Sequence, residues 1–91
     1  MNEIQELRKK IDQINTEILQ LIHARFVVTK KIGLIKKRKN LAPRDKKREK
    51  TQLNKLLLQA ETLGIDPKLI AKIFTLITEK VVEEHKKRTS L

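Results

Sequence analysis

The 91-residue sequence predicts an all-α fold of three helices, long, medium and medium, with the first helix of one chain paired with that of a second copy. Three observations carry this reading. Ile4, Leu7, Ile11, Ile14, Ile18 and Leu21, and again Val28, Ile32 and Ile35, step by threes and fours, which lays their side chains along one stripe of a helix. No proline interrupts the chain before Pro43, and the later start and stop signals mark two further helices. A helix over residues 3–38 is about 54 Å long, whereas a compact domain of this size has a radius of gyration of only about 12 Å. The stripe therefore needs another chain to cover it, and a heptad seam of this length favours the pairing of two long helices, hence a homodimer.

Each element has its own signals. Asn2 followed by Gln5 resembles a capping box and starts the first helix near Glu3. Gly33 is its one weak position, at about 1 kcal/mol against helix. Lys37 to Pro43 reads as a polar, basic loop. Asp45 caps a second helix that runs to Leu63 and stops at Gly64. Leu53, Leu56, Ala60 and Leu63 share one face of it, and Glu49 extends that face by a turn. Asp66-Pro67 opens a third helix, with Asp as cap and Pro at the first helical position. Its apolar stripe is Leu69, Ile70, Ile73, Phe74, Ile77 and Val81, with His85 one turn further; helical order is expected to give way after Lys86. A single domain over 1–91 is expected, without internal repeat, low-complexity segment or further catalytic domain.

Lys and Arg total 22 against 11 acids, a net charge of +11. Such a balance implies an acidic partner: nucleic acid, an anionic membrane surface or a small polyanion. The absence of cysteine excludes disulfides and thiolate metal sites. No signal pattern opens the chain and no apolar run approaches the roughly 18 residues of a membrane span, so a cytoplasmic protein without membrane association is expected. Two phenylalanines are the whole aromatic content and leave little for nucleobases to stack on.

The chemistry starts where the first stripe breaks. Its spacing calls for an apolar residue at position 25, and the residue there is Arg25. A charge in an apolar seam is costly unless something pairs with it. Either a carboxylate of the fold, such as Glu49, meets Arg25, or the space is held open for an external anion. Lys36 stands eleven residues on, about 16 Å along the axis and on nearly the same side. Arg48 and Glu49 open the second helix and His85 lies near the end of the third. Three elements can thus bring several cations, one carboxylate and one imidazole to a common pocket. Arg8, about 25 Å before Arg25, is too far to serve that pocket within one chain. In an antiparallel pair, the partner's Arg8 can complete it. His23 falls on the outer face and is assigned no role.

The order Arg8, Arg25, Lys36 and then Arg44-Asp45-Lys46-Lys47-Arg48-Glu49 resembles the all-helical (AroQ-type) chorismate mutases, as do Phe74, Glu79 and the Asp66-Pro67 start. The resemblance covers nearly the whole chain. It implies an intertwined homodimer with two identical sites, each converting chorismate to prephenate without metal, nucleophile or cofactor. Carried over residue by residue, Arg25 and the partner's Arg8 hold the substrate's two carboxylates, and Lys36 donates to the ether oxygen. Arg48 adds charge, Glu49 accepts from the ring hydroxyl, and backbone near Asp45 assists. Two positions depart from the pattern. His85 stands where the family usually has Gln or Glu as second donor to the ether oxygen, and can donate as imidazolium or through a neutral N–H. Val81 replaces a serine that often touches a substrate carboxylate, which removes one hydrogen bond.

Two rival readings stay open on sequence. Nine of the fifteen residues from Lys36 to Lys50 are basic, which suits a helical dimer that binds nucleic acid. Against it, basic residues elsewhere are scattered and no recognition-helix pattern is present, so no nucleic acid is expected. Isochorismate-pyruvate lyase shares the fold and a near-identical substrate, but the intact Arg-Asp-x-x-Arg-Glu run looks more like the mutases.

Overall fold

The computed structural model describes residues 2–89, with side chains through Lys87. It contains three helices, α1 (Glu3–Arg38), α2 (Lys46–Leu63) and α3 (Pro67–Thr89), and no strand among the described residues. The chain divides into two compact units, Met1–Lys31 and Ile32–Leu91. None of the helices is long and apolar enough to cross a membrane, among the described residues.

The helix ends follow from local chemistry. Gln5 N–H donates to Asn2 Oδ1 at 2.8 Å, which satisfies one of the amides a helix start leaves without a partner. Glu3 and Glu6 stand in the first turn of α1 and Lys36, Lys37 and Arg38 in its last, both favourable to the helix dipole. Asn40 then takes the left-handed conformation, with φ 56°. Its N–H donates to the Lys37 carbonyl at 3.2 Å, and Leu41 N–H to the Lys36 carbonyl at 2.8 Å. These two bonds form a Schellman stop, with Asn in the position glycine usually fills. Asp45 is extended and accepts from Arg48 N–H at 3.0 Å, capping α2. Gly64 ends α2 at φ 74°, with its own N–H on Glu61 and Ile65 N–H on Ala60, the same Schellman pair. Asp66 accepts from Lys68 N–H at 2.9 Å and Pro67 is the first residue of α3.

Within the second unit α2 and α3 pack on one another. The burial there is modest. Ala60 and Val82 are the buried apolar residues and His85, at 3% exposure, the buried polar one, among the described residues. The face α3 shields is turned slightly from the stripe read in the sequence. Ile70, Phe74, Ile77 and Val81 are half-buried and Val82 is buried, while Leu69 and Ile73 stay exposed. Leu63, expected on the shared face of α2, is 73% exposed. One facing helix covers only a narrow strip, so residues at the margin of an apolar stripe remain in solvent. Past Lys86, where helical order is expected to weaken, α3 continues to Thr89. Two-sign ion pairs support that last stretch: Lys80 reaches Glu84 at 3.2 Å and Lys87 reaches Glu83 at 3.4 Å. The Glu84 hydrogen bond and the neighbouring Glu83 charge raise the Lys80 pKa above its ordinary value.

The apolar stripe of α1 is exposed from end to end: Ile4, Leu7, Ile11, Ile14, Ile18, Leu21, Val28, Ile32 and Ile35 lie between 40% and 70% exposure. In the same helix Arg25, which breaks the stripe, is half-buried, and Gly33 is buried.

Candidate active site

Two constellations form in the second unit. The first joins the end of α1 to the end of α3. The half-buried Lys36 Nζ donates to the Pro43 carbonyl at 3.1 Å and lies 3.3 Å from His85 Nδ1. The Schellman stop at Asn40 turns the chain back so that the Pro43 carbonyl meets the lysine seven residues before it. An ammonium has three donors and no acceptor, so His85 Nδ1 must be the acceptor. Two of the three Lys36 N–H groups are occupied, and the third has no partner among the described residues. A pocket of about 270 Å³ opens beside it, lined by Lys36, Lys37, Asn40, Leu41, Ala42 and Pro43. Val81, one turn before His85 on the same face of α3, is half-buried.

The second constellation ties the start of α2 to the middle of α3. Arg44 Nη2 donates to Glu49 Oε1 and to Glu79 Oε1, both at 2.9 Å. The Glu49 hydrogen bond, and after it that of Glu79, hold the Arg44 guanidinium more firmly protonated than usual. Glu49 thus stands in the first turn of α2 with one carboxylate oxygen engaged.

Of the residues singled out in the sequence, the structure brings Lys36 and His85 into contact and gives Glu49 a partner in Arg44. The Asp45 side chain is occupied as a cap, and Arg48, which donates its backbone N–H to that cap, is exposed. Arg8 and Arg25 lie in the first unit, Arg8 exposed and Arg25 half-buried.

The chorismate mutase type II family matches residues 7–86, nearly the whole chain and all of these side chains. The chain belongs to the chorismate mutase type II family. Two similar proteins bear related names. A bifunctional chorismate mutase/prephenate dehydratase of Aquifex aeolicus is 43% identical over 65 residues, 70% of this chain. A chorismate mutase of Methanocaldococcus jannaschii is 30% identical over 79 residues, 87% of this chain. The chain spans 18% of the length of the first and 80% of the second.

In this chorismate mutase-family domain, one prominent side chain escapes sequence reasoning. Arg44 was legible only as the first letter of the Arg-Asp-x-x-Arg-Glu run, yet it makes the ion pairs that join α2 and α3. The available signal was Glu79, an acid on α3 that the family resemblance picks out and that needs a cation facing it. The role of Asn40 as a helix stop was likewise hidden inside a stretch that reads as loop.

Proposed function

We propose that the protein is a cytoplasmic chorismate mutase, one domain per chain, working as an intertwined antiparallel homodimer with the partner's Arg8 completing each site. The observation that carries the reading is the Lys36 ammonium. The Pro43 carbonyl and His85 Nδ1 fix it while one N–H remains to be given. The uncovered α1 stripe supports the dimer.

The reaction breaks one carbon–oxygen bond and makes one carbon–carbon bond within a single molecule, with no net transfer of protons or electrons. The protein's task is to fold the substrate so that its two ends meet, and to stabilise the charge that develops as the ether bond stretches. Chorismate is a dianion, and planar guanidinium forks suit carboxylates. Arg25 and the partner's Arg8 clamp the two carboxylates in the compact conformer. Lys36 gives its remaining N–H to the ether oxygen, where negative charge grows, so its effect is larger in the transition state than in the ground state. His85 serves as the second donor to the ether oxygen. Glu49 accepts from the ring hydroxyl, and Arg48 adds positive potential. With valine at position 81, one hydrogen bond to a substrate carboxylate is missing, which weakens ground-state binding.

Adding purified protein to chorismate in the presence of a chelator should abolish the substrate's absorbance and yield prephenate. Chorismate left intact by folded, dimeric protein would sink this reading. Release of pyruvate from isochorismate, with chorismate untouched, would instead assign the lyase reaction.

A further inference from the structure

We infer that Arg44 is a positioning residue for Glu49, fixing that carboxylate through Oε1 and offsetting its charge so that Oε2 can accept from a dianionic substrate. The inference rests on the mutase reading and deepens it.

A carboxylate at a site for a dianion poses an electrostatic problem. Glu49 is needed as an acceptor, yet its charge repels the molecule it is to hold. Arg44 addresses both aspects. Its Nη2 lies 2.9 Å from Glu49 Oε1, and no hydrogen bond occupies Glu49 Oε2 among the described residues. One carboxylate oxygen is thus anchored and the other left to a ligand. The same nitrogen lies 2.9 Å from Glu79 Oε1, so the guanidinium is itself tethered to α3. Its rotamer is then set by two helices, whereas a lone ion pair at the start of α2 would swing. Arg44 Nε is shut off from solvent and has no hydrogen-bond partner among the described residues. A solvent-facing rotamer would satisfy that donor. The inward pose persists because the two carboxylates hold it there. The raised Arg44 pKa agrees with this, and the cation is permanent at any working pH.

The alternative is that Arg44 only ties α2 to α3 and has no bearing on Glu49. A double-mutant cycle separates the two. Arg44→Gln should lower kcat/KM by roughly 10- to 100-fold, chiefly through a higher KM, because Glu49 is then mobile and uncompensated. In a Glu49→Gln background, where there is no carboxylate to hold or offset, the same substitution should cost no more than about threefold. Equal losses in both backgrounds, or a lower melting temperature with unchanged kinetics, would overturn the inference. Should Arg44→Gln lose its helical circular dichroism, Arg44→Lys replaces it in the same cycle. Lysine keeps the charge but not the planar fork, and the same non-additivity is required of it. The tether is read independently of turnover by ¹⁵N NMR. Rotation of the Arg44 guanidinium should be slow in the native protein and faster in both Glu49→Gln and Glu79→Gln. Free rotation in the native protein would overturn the tether itself. If the native protein leaves chorismate intact while the guanidinium is locked, the mutase reading fails and the tether to Glu49 stands.

Discussion

At the scale of single residues, the contact between Lys36 and His85 redefines what the histidine contributes. Sequence reasoning left open whether His85 donates as imidazolium or as neutral imidazole. With an ammonium 3.3 Å from Nδ1, the ring accepts there, and a second proton would set N–H against a cation. Loss of that acceptor therefore breaks the tether of Lys36, and activity should fall with it. His85→Gln keeps an acceptor for Lys36 and an amide donor, so it should retain most of the native activity. His85→Leu keeps bulk and loses the acceptor, with an expected loss on the order of 10- to 1000-fold, the scale of misplacing a transition-state donor. Steady-state kinetics of the two variants decide the matter. Full activity in His85→Leu would remove His85 from the mechanism. The sequence singles out Lys36, Glu49 and His85 through their joint spacing, and the structure brings Lys36 to His85 and Glu49 to Arg44. Arg44 itself was not legible in this way, since one arginine among nine basic residues in fifteen carries no spacing signal of its own.

At the scale of elements, the boundaries of α1 and α2 agree with sequence reasoning because caps are local: Asn2, Asp45 and Gly64 act within four residues of themselves. The shielded face of α3 was less legible, since which edge of an apolar stripe is covered depends on the facing helix. Leu69 and Ile73 sit on the uncovered edge and Val82 on the covered one. The caps also yield stability predictions. Asp45→Ala removes the acceptor for Arg48 N–H and should cost about 0.5–2 kcal/mol. Gly64→Ala meets open space, but at φ 74° the added Cβ strains the backbone, by roughly 1–2 kcal/mol. Urea unfolding at fixed protein concentration measures both. Asp45→Ala should further lower activity beyond its stability effect, because the start of α2 carries Glu49. A Gly64→Ala protein as stable as the native one would show that the left-handed stop is not maintained.

At the scale of the whole molecule, the nine apolar side chains of the α1 stripe stand in solvent, an unfavourable arrangement for a lone chain. Burying the remaining half of each in two copies yields on the order of 20 kcal/mol gross. Association costs about 4–15 kcal/mol, so a dimer should persist at micromolar concentration. Sedimentation should give about twice the 10.7 kDa chain mass, and a folded monomer would count against the architecture. The arrangement of the two chains has a sharper test. Arg8→Ala and Lys36→Ala should each be nearly inactive as homodimers. In the antiparallel arrangement every site takes Arg8 from one chain and Lys36 from the other. A mixed dimer then has one site with both lesions and one with neither. Refolding the two variants together in equal amounts makes about half the dimers mixed, so about a quarter of native activity should return. If Arg8 instead serves its own chain's site, every site in a mixed dimer carries one lesion and nothing returns. Tagging each variant differently and purifying through both tags isolates the mixed dimer, which should then reach about half the native rate. An inactive mixed dimer of native mass and helicity would place Arg8 outside the partner's site.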